Sequence, residues 1–149
     1  MATIKGLYNR IKNFDPNKAI DEAFEQTVDE LAEKNKEQLF EGKDNTGESI
    51  SRRYRSPKYA RVKNEMNPLP GLGVPDLKVT GAFYRGIRVD YQGGVLKTIS
   101  TDEKGPELEA KYEGIFGLGG EFKKQFIKDS LRPALNAEIT KATGLKFSK

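Results

Sequence analysis

A helix start followed by a long amphipathic segment is the feature that most constrains the fold of this 149-residue chain. Asp15 supplies an N-cap oxygen, and Pro16 stands at the first helical position, where its missing N–H costs no hydrogen bond. Apolar residues then recur at helical spacing along one stripe, namely Ala19, Ile20, Ala23, Phe24, Val28, Leu31 and Ala32. The sequence therefore predicts a long helix that lays this stripe against a core.

The opposite face of the predicted helix is acidic, with Asp21, Glu22, Glu25, Asp29, Glu30, Glu33 and Glu37. Lys34 and Lys36 alternate with the last of these carboxylates, which is typical of a solvated helix surface. We favour a solvated face and keep as the alternative a docking surface for a basic partner. The interface candidates on this face are Glu22, Glu25, Asp29 and Glu33.

Helical spacing also marks both ends of the chain. The apolar positions from Ile4 to Phe14 predict a short amphipathic helix within residues 1–14, either packed on the domain or acting as an arm that docks on a neighbouring subunit. A second apolar series, from Phe122 to Ala142, predicts a C-terminal helical region with a kink or break near Pro133. Gly144 fits the left-handed cap that ends such a helix.

A β-hairpin is predicted between these helical regions. Ile87–Tyr91 alternates as a half-buried strand does, Gln92-Gly93-Gly94 forms the turn, and Val95–Ser100 returns. With the helices, this hairpin predicts an α+β fold in which a small antiparallel β-sheet is packed by the long N-terminal helix and the C-terminal helices. The length fits a single domain spanning residues 1–149.

Residues 67–75 form a Pro/Gly loop, with three prolines and two glycines in nine residues. No helix or central strand tolerates that composition. A loop of this kind is either ordered or mobile, and it can become ordered on assembly. Its apolar side chains, Leu69, Leu72 and Val74, are interface candidates.

The segment from residue 51 to residue 63 is basic and contains no acidic residue. We take its cations as interface candidates and favour a solvated or intersubunit surface, which suits the acidic helix face. Nucleic-acid contact is the less favoured alternative, because Tyr54 and Tyr59 lie among the cations and aromatic rings stack on bases. The candidates are Arg52, Arg53, Arg55, Lys58, Arg61 and Lys63.

The composition argues against an enzyme. The chain has no Cys and no His, which excludes a thiolate nucleophile, a Cys-based zinc site and imidazole acid–base chemistry. The glycines from Gly114 to Gly120 do not form a phosphate loop, because Gly120 and Glu121 stand where such a loop needs Lys and then Ser or Thr. We therefore predict no catalytic residue, no metal and no cofactor, and keep a carboxylate-dependent hydrolase as another alternative.

The remaining composition bears on partners and location. No run approaches the roughly 18 apolar residues that a membrane span needs, so we expect a soluble protein with no membrane partner. Hydrophobic residues make up 36% and charged residues 32% of the chain, which predicts a thin core. Chains with thin cores often complete their burial against a partner.

Three segments stand in a fixed order in the middle of the chain: Lys43–Gly47, Tyr59–Lys63 and Asp76–Ile87. The order resembles that of small neck and tail-completion proteins of tailed bacteriophages. In that family an Asp-x-x-Gly turn and a Tyr-Ala-x-x-Lys stretch often precede a Leu-x-x-Thr-Gly-x-Leu-x-x-Ser-Ile signature. The similarity continues through Tyr112-Glu113-Gly114 and Asp129–Leu135, while Gly86 stands where the family has Ser.

This resemblance implies a structural subunit of the virion. Many copies would form a closed ring between the portal or connector and the tail, after assembly in the host cytoplasm. Within the signature we predict that Thr80 and Gly81 form a structural turn. Gly81 would adopt a backbone conformation that side chains resist, and Thr80 would bond to a nearby backbone group.

Overall fold

The computed structural model describes residues 3–147. Helices and one hairpin follow in the order α1 (Ile4–Lys12), α2 (Pro16–Phe40), α3 (Pro57–Met66), α4 (Ala82–Arg85), β1 (Ile87–Gln92), β2 (Val95–Ser100), α5 (Gly105–Lys111), α6 (Gly120–Phe126) and α7 (Arg132–Thr143). A π-helical turn, Ile127–Leu131, joins α6 to α7. The fold is therefore α+β, with a two-stranded antiparallel sheet and a long helix near the N-terminus, as the sequence predicted.

Helix α2 is the longest element, and it begins where the sequence indicated. The Asp15 carboxylate accepts hydrogen bonds from the N–H groups of Asn17 and Lys18, at 3.0 and 3.3 Å. Most of the predicted apolar stripe is buried or half-buried, but Ile20 is 39% exposed and its predicted burial is wrong. The inward-facing Tyr91 of the sheet stacks on Phe24, which is one helical turn after Ile20 in α2.

The hairpin pairs β1 with β2 in the predicted antiparallel arrangement, with Gln92 opposite Val95. Gly93 and Gly94 both have positive φ, 56° and 81°, as a two-residue type I′ turn requires. The inward face of β1, formed by Ile87, Val89 and Tyr91, packs against α2. The hairpin is thus fixed on the domain through one face.

The C-terminal region is helical through Pro133, so of the predicted kink or break the break does not occur. Proline lacks an N–H and cannot satisfy the carbonyl four residues before it, and the preceding turn widens to the π form. Helix α7 ends at Gly144, whose φ of 79° is the predicted left-handed cap. Helix α1 packs against α7, but none of its residues is buried.

The core lies between α2, the hairpin, α4 and the loop that precedes α6. It consists of Leu31, Ala32, Leu39, Ile50, Leu77, Phe83, Tyr84, Ile87, Val89, Tyr112, Ile115 and Phe126. Leu77 contributes to it from an irregular segment in which its φ is 59°.

Candidate functional site

A buried ion pair joins two of the segments on which the phage resemblance rests. The Lys63 Nζ lies 2.8 Å from Asp76 Oδ1, and the two side chains are only 7% and 4% exposed. Asn67 donates to the other oxygen of Asp76 at 3.0 Å, and Lys63 also donates to the Lys78 carbonyl. The Tyr84 hydroxyl donates to the Asp76 carbonyl. Every polar group of this cluster therefore has a partner inside the chain.

This burial corrects one predicted interface residue. Lys63 points inward from α3 and neutralises Asp76, so it is not available to a partner. The sequence could not indicate this, because a lysine in a basic run looks like its exposed neighbours. Lys58 and Arg61, on the same helix, are exposed as expected.

The Thr80-Gly81 pair lies directly before α4. Gly81 has φ of 84°, in the left-handed region expected of it, and the Thr80 hydroxyl accepts a hydrogen bond from the Ala82 N–H at 3.3 Å. A Cβ added at Gly81 would lie 3.1 Å from a guanidinium nitrogen of Arg85. The pair thus sets the direction in which the chain leaves the ion-pair cluster and enters α4.

Two buried amide side chains of α2 hold the glycine-rich loop that precedes α6. Asn35 donates to the Ile115 carbonyl and accepts from the Gly117 N–H, both at 2.9 Å. Gln38 donates to the Gly117 carbonyl at 2.8 Å and accepts from the Gly119 N–H at 2.9 Å. We call Asn35 and Gln38 the amide clamp. The loop is therefore fixed to α2 by four hydrogen bonds.

The polar turn at residues 43–47 packs on the same loop. The Asn45 N–H donates to the Gly114 carbonyl at 2.7 Å, and a Cβ at Gly119 would lie 2.3 Å from the Asn45 carbonyl oxygen. The Asp44 side chain closes the turn by accepting from the N–H and hydroxyl of Thr46. The turn and the Glu113-Gly114 segment, which were matched separately to the phage family, are thus in direct contact.

The basic segment forms one wall of an open cleft with a volume of about 700 Å³. We call this the basic cleft. Arg52, Arg53 and Arg55 line it on one side, and Lys104 and Lys111 line it on the other. Tyr54, Val79, Phe83, Leu108 and Tyr112 supply much of its apolar surface. Sequence reasoning missed the two lysines, because only the fold places α5 opposite residues 52–55.

The tyrosines of the basic cleft are arranged edge to face. The rings of Tyr54 and Tyr59 are 4.9 Å apart at 85°, and Tyr59 is 40% exposed. Burial raises the pKa of Tyr54 above its ordinary value, so its hydroxyl stays protonated at neutral pH. The cleft therefore offers cations and an accessible aromatic ring side by side.

The predicted acidic face of α2 is partly engaged within the chain. Glu33 pairs with Lys36 at 2.6 Å, and Glu37 pairs with Lys34 at 2.8 Å. The Tyr91 hydroxyl donates to Asp21. Glu25, Asp29 and Glu30 are exposed and form no ion pair with any residue between 3 and 147. As an interface candidate the face is thus reduced mainly to these three carboxylates, of which Glu25 and Asp29 were predicted as interface residues.

Glu22 meets a second carboxyl group, Glu138 of α7. A hydrogen bond between the two carboxyl groups raises the pKa of Glu22, and burial and the charge of Glu138 act in the same direction. The same bond, with one from Gln26 at 2.8 Å, lowers the pKa of Glu138. This pair is a contact between α2 and α7, so Glu22 does not point freely to solvent.

The Pro/Gly loop leaves apolar residues exposed although its ends are held. The Asn67 side chain donates to the Phe40 carbonyl at 2.7 Å, and the Tyr54 N–H donates to the Gly73 carbonyl at 3.0 Å. Leu69 and Leu72 are 62% and 64% exposed. Val74 is half-buried beside Gly42, so its role as an interface candidate is weaker.

Helix α3 continues this apolar surface toward its own N-terminus. Tyr59, Val62 and Met66 are exposed at helical spacing, and Met66 directly precedes the loop. We call Val62, Met66, Leu69 and Leu72 the α3 apolar surface, since Tyr59 belongs to the basic cleft. Exposed apolar groups of this extent commonly mark a contact with another protein.

The described part of the chain shows neither a metal centre nor a membrane-spanning helix. Residues 3–147 contain no cluster of three or more potential metal ligands. Within that range no helix is both long and apolar enough to cross a bilayer. Comparisons with protein-family models, with curated proteins and with solved structures found no match to this chain.

Proposed function

We propose that this protein is a structural subunit of the head–tail neck or tail-completion region of a tailed bacteriophage. The observation that carries the proposal is that the segments resembling that family contact one another. The 43–47 turn bonds to Gly114, and Lys63 of the second segment pairs with Asp76 at the start of the third. These contacts join the matched segments in pairs within one domain, and they support the proposal.

A ring is the assembly that we propose, placed between the portal or connector and the tail. A heterologous contact that closes into a ring needs two different surfaces on each subunit. The chain offers the α3 apolar surface, which adjoins the C-terminal end of α2 through Asn67. It also offers the exposed face of α1, with Ile4 at 89% and Tyr8 at 62%, which adjoins the N-terminal end. The ends of α2 are about 37 Å apart, because a helix rises 1.5 Å per residue.

Apolar burial is the main contribution to the proposed contact. Covering a leucine stabilises an interface by about 1.5–3 kcal/mol, so Leu69 and Leu72 together outweigh several rim ion pairs. Pairing of the acidic face with the basic segment across subunits makes a smaller contribution, since within residues 3–147 only Glu25, Asp29 and Glu30 of that face are exposed without an ion-pair or hydrogen-bond partner. No cofactor, metal or catalytic group takes part in this proposal.

Negative-stain electron microscopy and light scattering of the purified protein test the proposal. We expect ring-shaped particles for the wild type, loss of rings for Leu69→Ser/Leu72→Ser, and retention for Val95→Ser. Val95 is a matched control because it is 65% exposed on the hairpin, away from the α3 apolar surface. A wild-type protein that stays monomeric at every concentration, with or without the portal protein, would refute ring assembly.

A further inference from the structure

We propose that the basic cleft binds the phosphate backbone of a nucleic acid strand. The proposal does not depend on ring assembly, because every residue that it uses lies within one subunit. It rests on the charge of the cleft, on the accessible tyrosine and on the contacts that several carboxylates of the acidic α2 face already make within the subunit.

The charge of the cleft is not balanced within the chain. Five cationic side chains line it, against the two carboxylates of Asp102 and Glu107. One Asp102 oxygen already accepts the Lys104 N–H at 3.2 Å. None of the five cations forms an ion pair with any residue of the described chain. An anionic ligand would therefore meet a net positive surface.

Two of the arginines are held in position by the protein backbone. Arg52 donates to the Lys111 carbonyl at 3.4 Å, across the cleft, and Arg53 donates to the Ile50 carbonyl. These bonds orient the guanidinium groups without neutralising them. Arg55 and Lys104 make no side-chain hydrogen bond within residues 3–147, so their donors are available for phosphate oxygens.

The aromatic content favours a nucleic acid over an acidic peptide. The Tyr54 ring lies at 85° to the Tyr59 ring, and 40% of Tyr59 is accessible. Stacking of a base on such a ring adds to phosphate neutralisation, and the combination is typical of proteins that bind single strands. A volume of about 700 Å³ is ample for part of a strand that continues beyond the cleft.

The acidic face of a second copy is a poorer ligand for the cleft. Glu33 and Glu37 are paired within α2, and Glu22 is bonded to Glu138. Glu25, Asp29 and Glu30 form no ion pair within residues 3–147, and they lie on a rigid helix. A nucleic acid strand is flexible and carries one negative charge per nucleotide. It can therefore pair with the separated cations of the cleft better than this helix can.

Fluorescence anisotropy with labelled oligothymidylate of about 20 nucleotides, and with a duplex of equal length, tests the proposal. We expect binding to weaken steeply between about 50 and 200 mM salt. Arg55→Glu/Lys104→Glu should weaken binding about tenfold or more and flatten the salt dependence. Tyr59→Ala should weaken single-strand binding about fivefold or more without changing the salt slope.

The matched control is Lys97→Glu/Lys128→Glu, which changes the net charge equally at two exposed positions outside the cleft. It should change affinity by less than about threefold, because only long-range attraction is lost. Circular dichroism and melting should show that all variants fold. If the duplex binds more tightly and Tyr59→Ala has no effect, the phosphate contacts are supported and base stacking on Tyr59 is contradicted.

Three results would overturn the proposal. The first is the absence of binding to either oligonucleotide at low salt. The second is an equal loss of affinity in the control variant, which would mean that net charge alone acts. The third is displacement of the oligonucleotide by polyglutamate of equal charge, which would assign the cleft to an acidic protein partner instead.

Discussion

Replacing Lys63 with Met should destabilise the domain more than the same replacement of any other cation in the basic segment. The substitution keeps the length and apolar stem of the side chain but removes the cation 2.8 Å from Asp76. Asp76 is only 4% exposed, so water cannot replace the lost partner. Breaking a buried pair from one side costs about 3–5 kcal/mol, a large part of the 5–15 kcal/mol that stabilises a typical domain.

The other hydrogen bonds to the Asp76 carboxylate determine how much stability a second substitution can restore. Asp76 also accepts from the Lys78 N–H at 3.0 Å and from Asn67 at 3.0 Å, and an asparagine at this position can still accept the first of these bonds. Asp76→Asn added to Lys63→Met removes the unpaired charge. We therefore expect the double variant to be more stable than Lys63→Met alone, although each change by itself is destabilising.

Urea denaturation followed by circular dichroism measures these differences. Lys58→Met is the matched control, because Lys58 is exposed on the same helix, and it should change stability by less than about 0.5 kcal/mol. A loss below about 1 kcal/mol for Lys63→Met would show that the pair is not buried in solution. Simple addition of the two single losses in the double variant would equally contradict the argument.

Three further changes have defined outcomes. Gly81→Val should lower the free energy of unfolding by about 1 kcal/mol or more, because a branched side chain resists its φ of 84°; an unchanged melting temperature would remove the structural turn. Gly119→Ala should cost more than Gly73→Ala, since a Cβ at the first position would lie 2.3 Å from a backbone oxygen and at the second meets nothing within 4 Å; equal chemical denaturation midpoints would argue against close packing of the loop. Glu22→Gln should raise the melting temperature at pH 7, because the wild type holds the carboxyl groups of Glu22 and Glu138 together. The gain should shrink as the pH falls, because the raised pKa of Glu22 lets the folded protein bind the proton more readily than the unfolded chain does. A gain that does not depend on pH would exclude repulsion between the two carboxyl groups.

Elements with local signals were predictable from the sequence. The start of α2 at Asp15-Pro16, the two-glycine turn of the hairpin and the Gly144 cap each depend on residues a few positions apart. Their geometry follows from backbone preferences that act before any tertiary contact forms. Of the kink or break predicted near Pro133, the break was wrong, because a π-helical turn can absorb a proline that a regular helix cannot.

Features set by distant contacts were not predictable in the same way. The burial of Lys63 depends on Asp76, which lies beyond the Pro/Gly loop. The amide clamp looks in sequence like two ordinary polar residues of a helix, although Asn35 and Gln38 fall among the apolar positions of the stripe, and that interruption was the available signal. No sequence pattern indicated that Lys104 and Lys111 line the basic cleft. They follow the hairpin and are distant along the chain from residues 52–55.

The amide clamp has a consequence for the order in which the chain folds during synthesis. Each of its hydrogen bonds joins residues 79 to 82 positions apart. Helix α2 can therefore form early from its own local signals, but its two amides stay without their final partners until residue 119 has been made. At a synthesis rate of about 5–20 residues per second, the Asn35 and Gln38 side chains lack their final hydrogen-bond partners for several seconds. Nascent chains arrested before and after the glycine-rich loop should differ sharply in protease resistance, with closure occurring only when the last third of the chain arrives.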